Sequence, residues 1–192
     1  TVLITGGNAG IGLAIATEIA KSGARVVLAC RNQNKAAQAR EKILAVSPAA
    51  DIQIYPLDLA SFASIKKFSS LFLADHSTLD VLINNAGASP MKQQFTEEGF
   101  ELQFGANYLG HVLLTHLLLP ALKNVADARI IHLASIMHNF GRIDFDSFRG
   151  VKKYSGFTAY FQSKLANLLF SNDLARRLAS CITRNAVHPG GV

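Results

Sequence analysis

The chain has 192 residues, of which 49% are hydrophobic and 17% charged. That composition excludes a disordered or collagen-like polymer, because there is ample apolar surface to offset the entropy of ordering. Lys and Arg number 19 and Asp and Glu 13, for a formal net charge of +6. Residues 1–120 carry nine basic and nine acidic side chains, so the excess sits in residues 121–192, with ten and four. A basic half can mean nucleic acid or an anionic membrane surface. Here its densest patch, Arg149, Lys152 and Lys153 beside Tyr154, is too short for a nucleic-acid stripe, and no nucleic-acid partner is expected. Two cysteines, Cys30 and Cys181, do not make a disulfide framework, which points to a reducing, intracellular compartment on the cytoplasmic side. No secretory leader is visible. The longest apolar stretch, 112–122, is interrupted by Thr115, His116 and Pro120 and falls short of the roughly 20 residues of a membrane span. Membrane association would have to come from segments outside this sequence.

In chain order, β-rich runs at 2–5, 25–30, 52–57, 81–84, 129–134 and 182–187 alternate with helical patterns at 11–21, 35–46, 61–76, 97–122 and 159–178. The strands are rich in Val, Ile and Leu with little polar alternation, as in parallel strands buried on both faces. Ser61 and Thr96 are predicted helix N-caps, and Pro48 closes the second helix. Strict alternation predicts an α/β fold with a doubly wound parallel sheet. No repeat, low-complexity tract or linker divides the chain, so one domain is expected.

The first strand runs into Thr5-Gly6-Gly7-Asn8-Ala9-Gly10-Ile11-Gly12 and then a helix. Glycines in such a turn let the backbone bend tightly and let a pyrophosphate approach the helix N-terminus, where free N–H groups and the helix dipole favour negative charge. The spacing is GxxxGxG rather than the commoner GxGxxG, and an ordinary glycine-rich βα turn is the plainer alternative. After the second strand, an NAD site usually carries a carboxylate for the ribose 2′-hydroxyl. This chain has Arg31-Asn32 there, and the planar fork of Arg31 suits a 2′-phosphate. That favours NADP(H) over NAD(H), against the alternative of a solvated loop arginine.

Tyr160 and Lys164 lie four apart on a predicted helix and so share a face. A phenol is a poor acid–base group at neutral pH unless a nearby ammonium favours phenolate, so the pair makes chemical sense as a general acid–base and its tuner. Alone the spacing is weak. It gains from its company at the C-terminal edge of the predicted sheet, where open α/β folds bind ligands. Asp58 follows the third strand there, Asn84-Asn85-Ala86-Gly87 ends the fourth, Ser135 ends the fifth and His188-Pro189-Gly190 follows the last. Asn107 lies inside a long helix, where Asn is unfavourable without a local task.

Taken together these residues resemble the short-chain dehydrogenase/reductases. The matches are Thr-Gly-x-x-x-Gly-Ile-Gly at 5–12, Asp58, Asn-Asn-Ala-Gly at 84–87, Asn107, Ser135, Tyr160 with Lys164, and Pro189-Gly190. Finer features are similar to the retinol dehydrogenase-like branch: Leu28-Ala29-Cys30-Arg31, Glu98-Gly99-Phe100-Glu101, Asn107-Tyr108-Leu109-Gly110-His111, and Ser163-Lys164-Leu165-Ala166-Asn167. The 25 residues from Ser135 to Tyr160 also fit that branch, and the segment 136–157 would form a loop beside the site.

The resemblance implies a Rossmann-like fold and hydride transfer between nicotinamide and an alcohol or carbonyl of a lipophilic small molecule. Tyr160 would move the proton. Lys164 would favour its phenolate and bind the nicotinamide ribose, Ser135 would hold the substrate oxygen, and Asn107 would hold a water that links Lys164 to solvent. The implied cofactor site takes in Gly6, Asn8, Gly10, Ile11, Gly12, Arg31, Asp58 and Leu59. It continues through Asn85, Ala86, Gly87, Tyr160, Lys164, Pro189 and Gly190. Asp58 would contact the adenine and Asn84 would be structural. Family members pair through the helices at 97–122 and 159–178, so a homodimer is expected. They also extend beyond both ends of this sequence, to a carboxamide-binding threonine, a substrate-covering helix and a last strand, so the sheet is expected to be truncated at its C-terminal end.

Other residues have plainer readings. His111 and His116 are expected to be packed or helix-surface residues, and no His/Cys/Asp/Glu cluster has metal-ligand spacing. Phe140, Phe145, Phe148 and Tyr154 would either line an apolar pocket or anchor the long loop. The functional alternative is a non-catalytic dinucleotide-binding redox sensor or interaction module, which would not need an acid–base tyrosine.

Overall fold

The computed structural model describes every residue except 152, 179–181 and 191–192, so Cys181 lies outside the described residues. Six parallel strands form one sheet in the order β3-β2-β1-β4-β5-β6. They are β1 (Val2–Thr5), β2 (Val26–Cys30), β3 (Ile52–Pro56), β4 (Val81–Asn84), β5 (Ala128–Leu133) and β6 (Ile182–Val187). The chain starts in the centre, winds out to β3, then crosses to β4 and winds out the other way. The reversal between β1 and β4 opens a crevice at their C-terminal ends, the place where doubly wound sheets bind ligands.

The central strands are mostly apolar because both faces are covered. In β1, Val2 and Ile4 face one side, packed with Leu28 of β2 against α1 (Gly10–Lys21) and α2 (Gln33–Val46). Leu3 faces the other side with Val27 and Leu82, against α3 (Phe62–Asp75), α5 (Gly110–Lys123) and α6 (Gly156–Arg177). Phe68 and Phe72 of α3 are almost fully buried, and burying one such side chain stabilises by about 1.5–3 kcal/mol. Pro56 is tolerated in β3 because that strand is the sheet edge. Among the described residues no helix is long and apolar enough to cross a membrane.

The predicted elements are all present; β1, β4 and β6 have the predicted bounds and the others have shifted ends. The largest departure is the helix expected over 97–122 with Thr96 as its cap. Residues 95–101 form a tight turn instead, with Phe95 bridged to Glu101 and Gly99 at φ +76°. The helix starts at α4 (Leu102–Phe104), where Glu101 is the cap, its carboxylate accepting from the Gln103 and Phe104 N–H groups. It then widens into a π-turn over Gly105–Leu109 before α5. Glu97 and Glu98 are used elsewhere. Glu97 accepts from the Ser61 hydroxyl and Glu98 from the Phe62 N–H, at the start of α3. Ser61 caps α3 as expected, and Asn32 caps α2 through the Lys35 N–H. The helix expected from 159 begins three residues earlier, at Gly156 behind the cap Ser155.

Candidate active site

Thr5 ends β1 and the glycine turn follows it into α1. Gly6 stands at φ +66°, a region that disfavours any side chain, and a Cβ there would lie 3.0 Å from that of Ala86. A Cβ on Gly12 would lie 2.5 Å from both Gly6 O and Asn85 Nδ2. The turn and the Asn85–Ala86 segment are therefore pressed together around the start of α1. No side chain caps that helix, since its N-cap is Ala9. Its first N–H groups are left for an external acceptor, which is what an anion needs. Gly12→Ala should destabilise the fold by about 1–3 kcal/mol, as overpacking does, and abolish dinucleotide binding. A thermal melt and a titration with dinucleotide check both.

A cleft of about 570 Å³ opens above this turn. Of the residues assigned to the cofactor, Gly6, Asn8, Gly10, Ile11, Gly12, Arg31, Asp58, Leu59, Asn85, Ala86 and Gly87 line it. Asn85 is held by donating Nδ2 to Thr5 O at 2.8 Å, and Asp58 by accepting from the Ala60 N–H at 2.9 Å. Pro189 and Gly190 do not line the cleft; they stand exposed past β6, Gly190 at φ +92°. Lys35 in the first turn of α2 also lines the cleft and was missed in the sequence, although Arg31-x-x-x-Lys35 across a helix start is a legible pattern of two cations on one rim. Cys30 lies in the wall as a buried thiol. Burial raises its pKa to about 11 against the opposing N–H groups of Gly7, Asn8 and Gly6, which leaves it unreactive.

None of Ser135, Tyr160 and Lys164 lines this cleft; the Tyr–Lys pair sits on α6, whose Ser163 meets Asn107 in the cleft wall. Lys164 is buried in α6, 5% exposed, with Nζ 5.5 Å from the ring centre of Tyr160 one turn earlier. One ammonium proton goes to Leu133 O at 2.7 Å. Burial pulls the Lys164 pKa down to about 8, so it remains mostly charged at neutral pH with two protons to offer. Ser135, two residues beyond Leu133, is extended, its Oγ accepting from the Met137 N–H at 3.3 Å.

Asn107 joins the two halves. It lies in the π-turn, fully buried, and lines the cleft. Its Nδ2 donates to Ala88 O at 2.9 Å and Ser163 Oγ at 3.2 Å, and its Oδ1 accepts from the Ala88 N–H at 2.7 Å. The Asn that helix propensity disfavours is thus spent on the loop after β4 and on the helix of the Tyr–Lys pair.

Two aromatics of the long loop anchor it and two stand exposed. Phe148 stacks on Phe104 with ring centres 4.0 Å apart. Tyr154 donates to Glu101 at 2.9 Å and accepts from Gln103 Nε2 at 3.0 Å. Both are anchors. Phe140 and Phe145 are 71% and 78% exposed, as is Phe157 in large part. Among the described residues no group of His, Cys, Asp and Glu could hold a metal ion.

A family model described as short chain dehydrogenase matches residues 1–192. The chain belongs to the short-chain dehydrogenase family. Within it the chain is retinol dehydrogenase-like. It is 47% identical to mouse retinol dehydrogenase 11 over 99% of this chain and 60% of that protein, and 46% identical to human retinol dehydrogenase 13 over 99% and 58%. The chain thus spans about 60% of the length of the curated relatives it matches. Among solved structures, an uncharacterized protein from Mycobacterium paratuberculosis superimposes with a TM-score of 0.87 at 40% identity, over 98% of this chain and 67% of the other. The RhlG/NADP active-site complex of Pseudomonas aeruginosa gives 0.79 at 30% identity, over 100% and 71%.

Proposed function

We propose that the chain carries the catalytic core of an NADP(H)-dependent oxidoreductase that interconverts an alcohol and a carbonyl on a lipophilic small molecule. The observation that carries this reading is the junction just described. The helix of the Tyr160–Lys164 pair is tied through Ser163 and Asn107 to the wall of a cleft fitted to a dinucleotide, and Ser135 stands two residues past β5.

The cleft fits the cofactor on three counts: glycines where a Cβ has no room, an uncapped helix start for the pyrophosphate, and two cations, Arg31 and Lys35, at the end that follows β2. Bound there, the nicotinamide supplies or accepts the hydride. This chain's residues handle the proton. In the reducing direction the Tyr160 hydroxyl gives its proton to the carbonyl oxygen; in the oxidising direction its oxygen takes the proton of the alcohol. The Lys164 ammonium, held near the Tyr160 ring, offers its remaining protons to the cofactor ribose. Ser135 donates to the substrate oxygen. Asn107 fixes the register of α6 against the cleft.

A lipophilic substrate is supported by the exposed Phe140, Phe145 and Phe157 around the loop beside the site and by the names of the relatives. A homodimer through α5 and α6 belongs to the same reading.

Cofactor choice has a direct test. Arg31→Ala should raise the Kd for NADPH by about tenfold or more while changing that for NADH by less than about twofold, the size of a lost charge-assisted pair of hydrogen bonds. Equal losses for the two, measured by fluorescence titration, would remove Arg31 from the 2′-phosphate.

A further inference from the structure

Of the buried imidazoles that the mechanism leaves unused, one touches both halves of the site. His111, in the first turn of α5, is 1% exposed. Its Nδ1 lies 2.9 Å from the backbone oxygen of Asn107, and its Nε2 lies 2.9 Å from Thr5 Oγ1. A carbonyl only accepts, so Nδ1 carries the hydrogen and Nε2 is the bare acceptor. Thr5 therefore donates its hydroxyl hydrogen to Nε2. The competing acceptor, Ile83 O, is farther away at 3.4 Å. The Thr5 oxygen in turn accepts from the Asn85 and Ala86 N–H groups, each at 3.0 Å.

Every donor in this series points the same way: from the Asn85 and Ala86 amides to Thr5, from Thr5 to His111, from His111 to Asn107. Aligned hydrogen bonds polarise one another, and each member here is buried or half-buried, where leaving one unpaired is costly. The series begins at two residues of the cleft wall and ends on the carbonyl of the asparagine that grips α6. The carbonyl belongs to a π-turn, whose backbone ladder is displaced from the ordinary helical one, and π-turns collect at functional sites.

We propose that His111 is a positioning residue: through Thr5 it locks the π-turn carbonyl of Asn107 to the Asn85–Ala86 wall of the cofactor cleft, setting the acid–base residues in register with the bound dinucleotide. The proposal rests on the oxidoreductase reading given above. The groups that face His111 agree with a neutral bridge. Burial lowers its pKa to about 4, the Asn107 carbonyl opposes that, and the Lys164 ammonium on α6 lowers it further. His132 on β5, held neutral by burial and by His111 itself, is the other titratable neighbour. The imidazole does not carry protons to solvent, because its two partners are an inward-facing hydroxyl and a carbonyl.

Two variants and one spectroscopic measurement test it on the whole protein. His111→Phe removes both links. His111→Asn keeps a donor near the Nδ1 position and loses the link to Thr5. At saturating substrate, His111→Phe should lower kcat by about tenfold or more, in line with the sensitivity of catalysis to small misplacements. It should also weaken NADPH binding, measured as Kd, by about threefold. His111→Asn should recover part of kcat while NADPH binding stays weakened. A kcat within about twofold of the parent in folded His111→Phe would overturn the proposal, as would equal kcat losses in the two variants. Nitrogen NMR of the unaltered protein gives a readout that does not depend on variants folding. The His111 ring should show the Nδ1–H tautomer at neutral pH; the Nε2–H tautomer or an imidazolium would contradict the bridge. A protein with no turnover on any carbonyl would sink the oxidoreductase reading and leave both the tautomer and the NADPH titration to decide the bridge.

Discussion

Tyr160→Phe should lower turnover by about a thousandfold, within the span of 10²–10⁴ that a positioned acid–base group contributes. The same change should leave NADPH binding within about twofold of the parent, because the ring and its place on α6 are retained. The split is specific. The phenylalanine keeps the helix face, the contact with Lys164 and the packing, and loses only the hydroxyl that holds the transferable proton. A structural tyrosine would lose stability and binding together. Steady-state kinetics with an aldehyde panel, beside an NADPH titration, separate the two.

The second large effect is on stability. His111 and His132 are both buried and held neutral, with pKa values pushed down to about 4 and about 3, chiefly by burial. In the unfolded chain each titrates near its ordinary value of about 6.5. Above that value both states are neutral and the histidines contribute nothing to the pH dependence. As pH falls below it, the unfolded chain binds protons that the folded protein refuses, so stability is lost with falling pH down to the folded values. By pH 5 the pair should cost about 4 kcal/mol relative to pH 7, a large share of the 5–15 kcal/mol typical of a domain. His76, whose pKa is lowered by burial and by Arg25, acts in the same direction. Urea unfolding at pH 7, 6 and 5 checks this: midpoints should fall steeply across the range, and His132→Leu should remove roughly half the slope. A flat response between pH 7 and 5 would mean that these imidazoles are not buried as described.

Much of this architecture is legible in the sequence because burial on two faces leaves a strong mark. β2 is apolar at every position and β1 at all but its last, Thr5; neither has a solvent face to encode, so their runs stand out against the amphipathic helices between them. The cleft is legible for a different reason. Gly6 and Gly12 are fixed by space rather than preference, and the turn, Asn85 and Ala86 must be small or shaped to meet. Tyr160 and Lys164 are legible only in company: their spacing is weak alone and points to a site through Ser135, Asn107 and the glycine turn.

What is less legible depends on tertiary partners. The helix expected from 97 starts at Leu102 because Glu97 and Glu98 reach across to the start of α3, and Glu101, not Thr96, becomes the cap. Periodicity sees only an acidic first turn there. The π-turn is invisible to a 3.6-residue pattern. His111 reads as a packed histidine on an apolar helix, which it is, yet its partner Thr5 lies 106 residues away and only the fold brings them to 2.9 Å. In the same way, Phe148 and Tyr154 could not be told from Phe140 and Phe145 until Phe104, Glu101 and Gln103 were seen beneath the first pair.

In the proposed reaction the residues around Asn107 bring an acid–base tyrosine to a cleft that holds a dinucleotide, so that hydride and proton meet at one substrate carbon–oxygen bond. Its most direct test is isotope transfer. The whole protein is given NADPH deuterated at the nicotinamide C4 position and a lipophilic aldehyde, and the alcohol formed is examined by mass spectrometry. Deuterium is expected on the carbinol carbon with the parent protein and almost none with Tyr160→Phe, although both bind NADPH. Bound NADPH with no label in the product of the parent protein, or equal labelling by the two proteins, would contradict it.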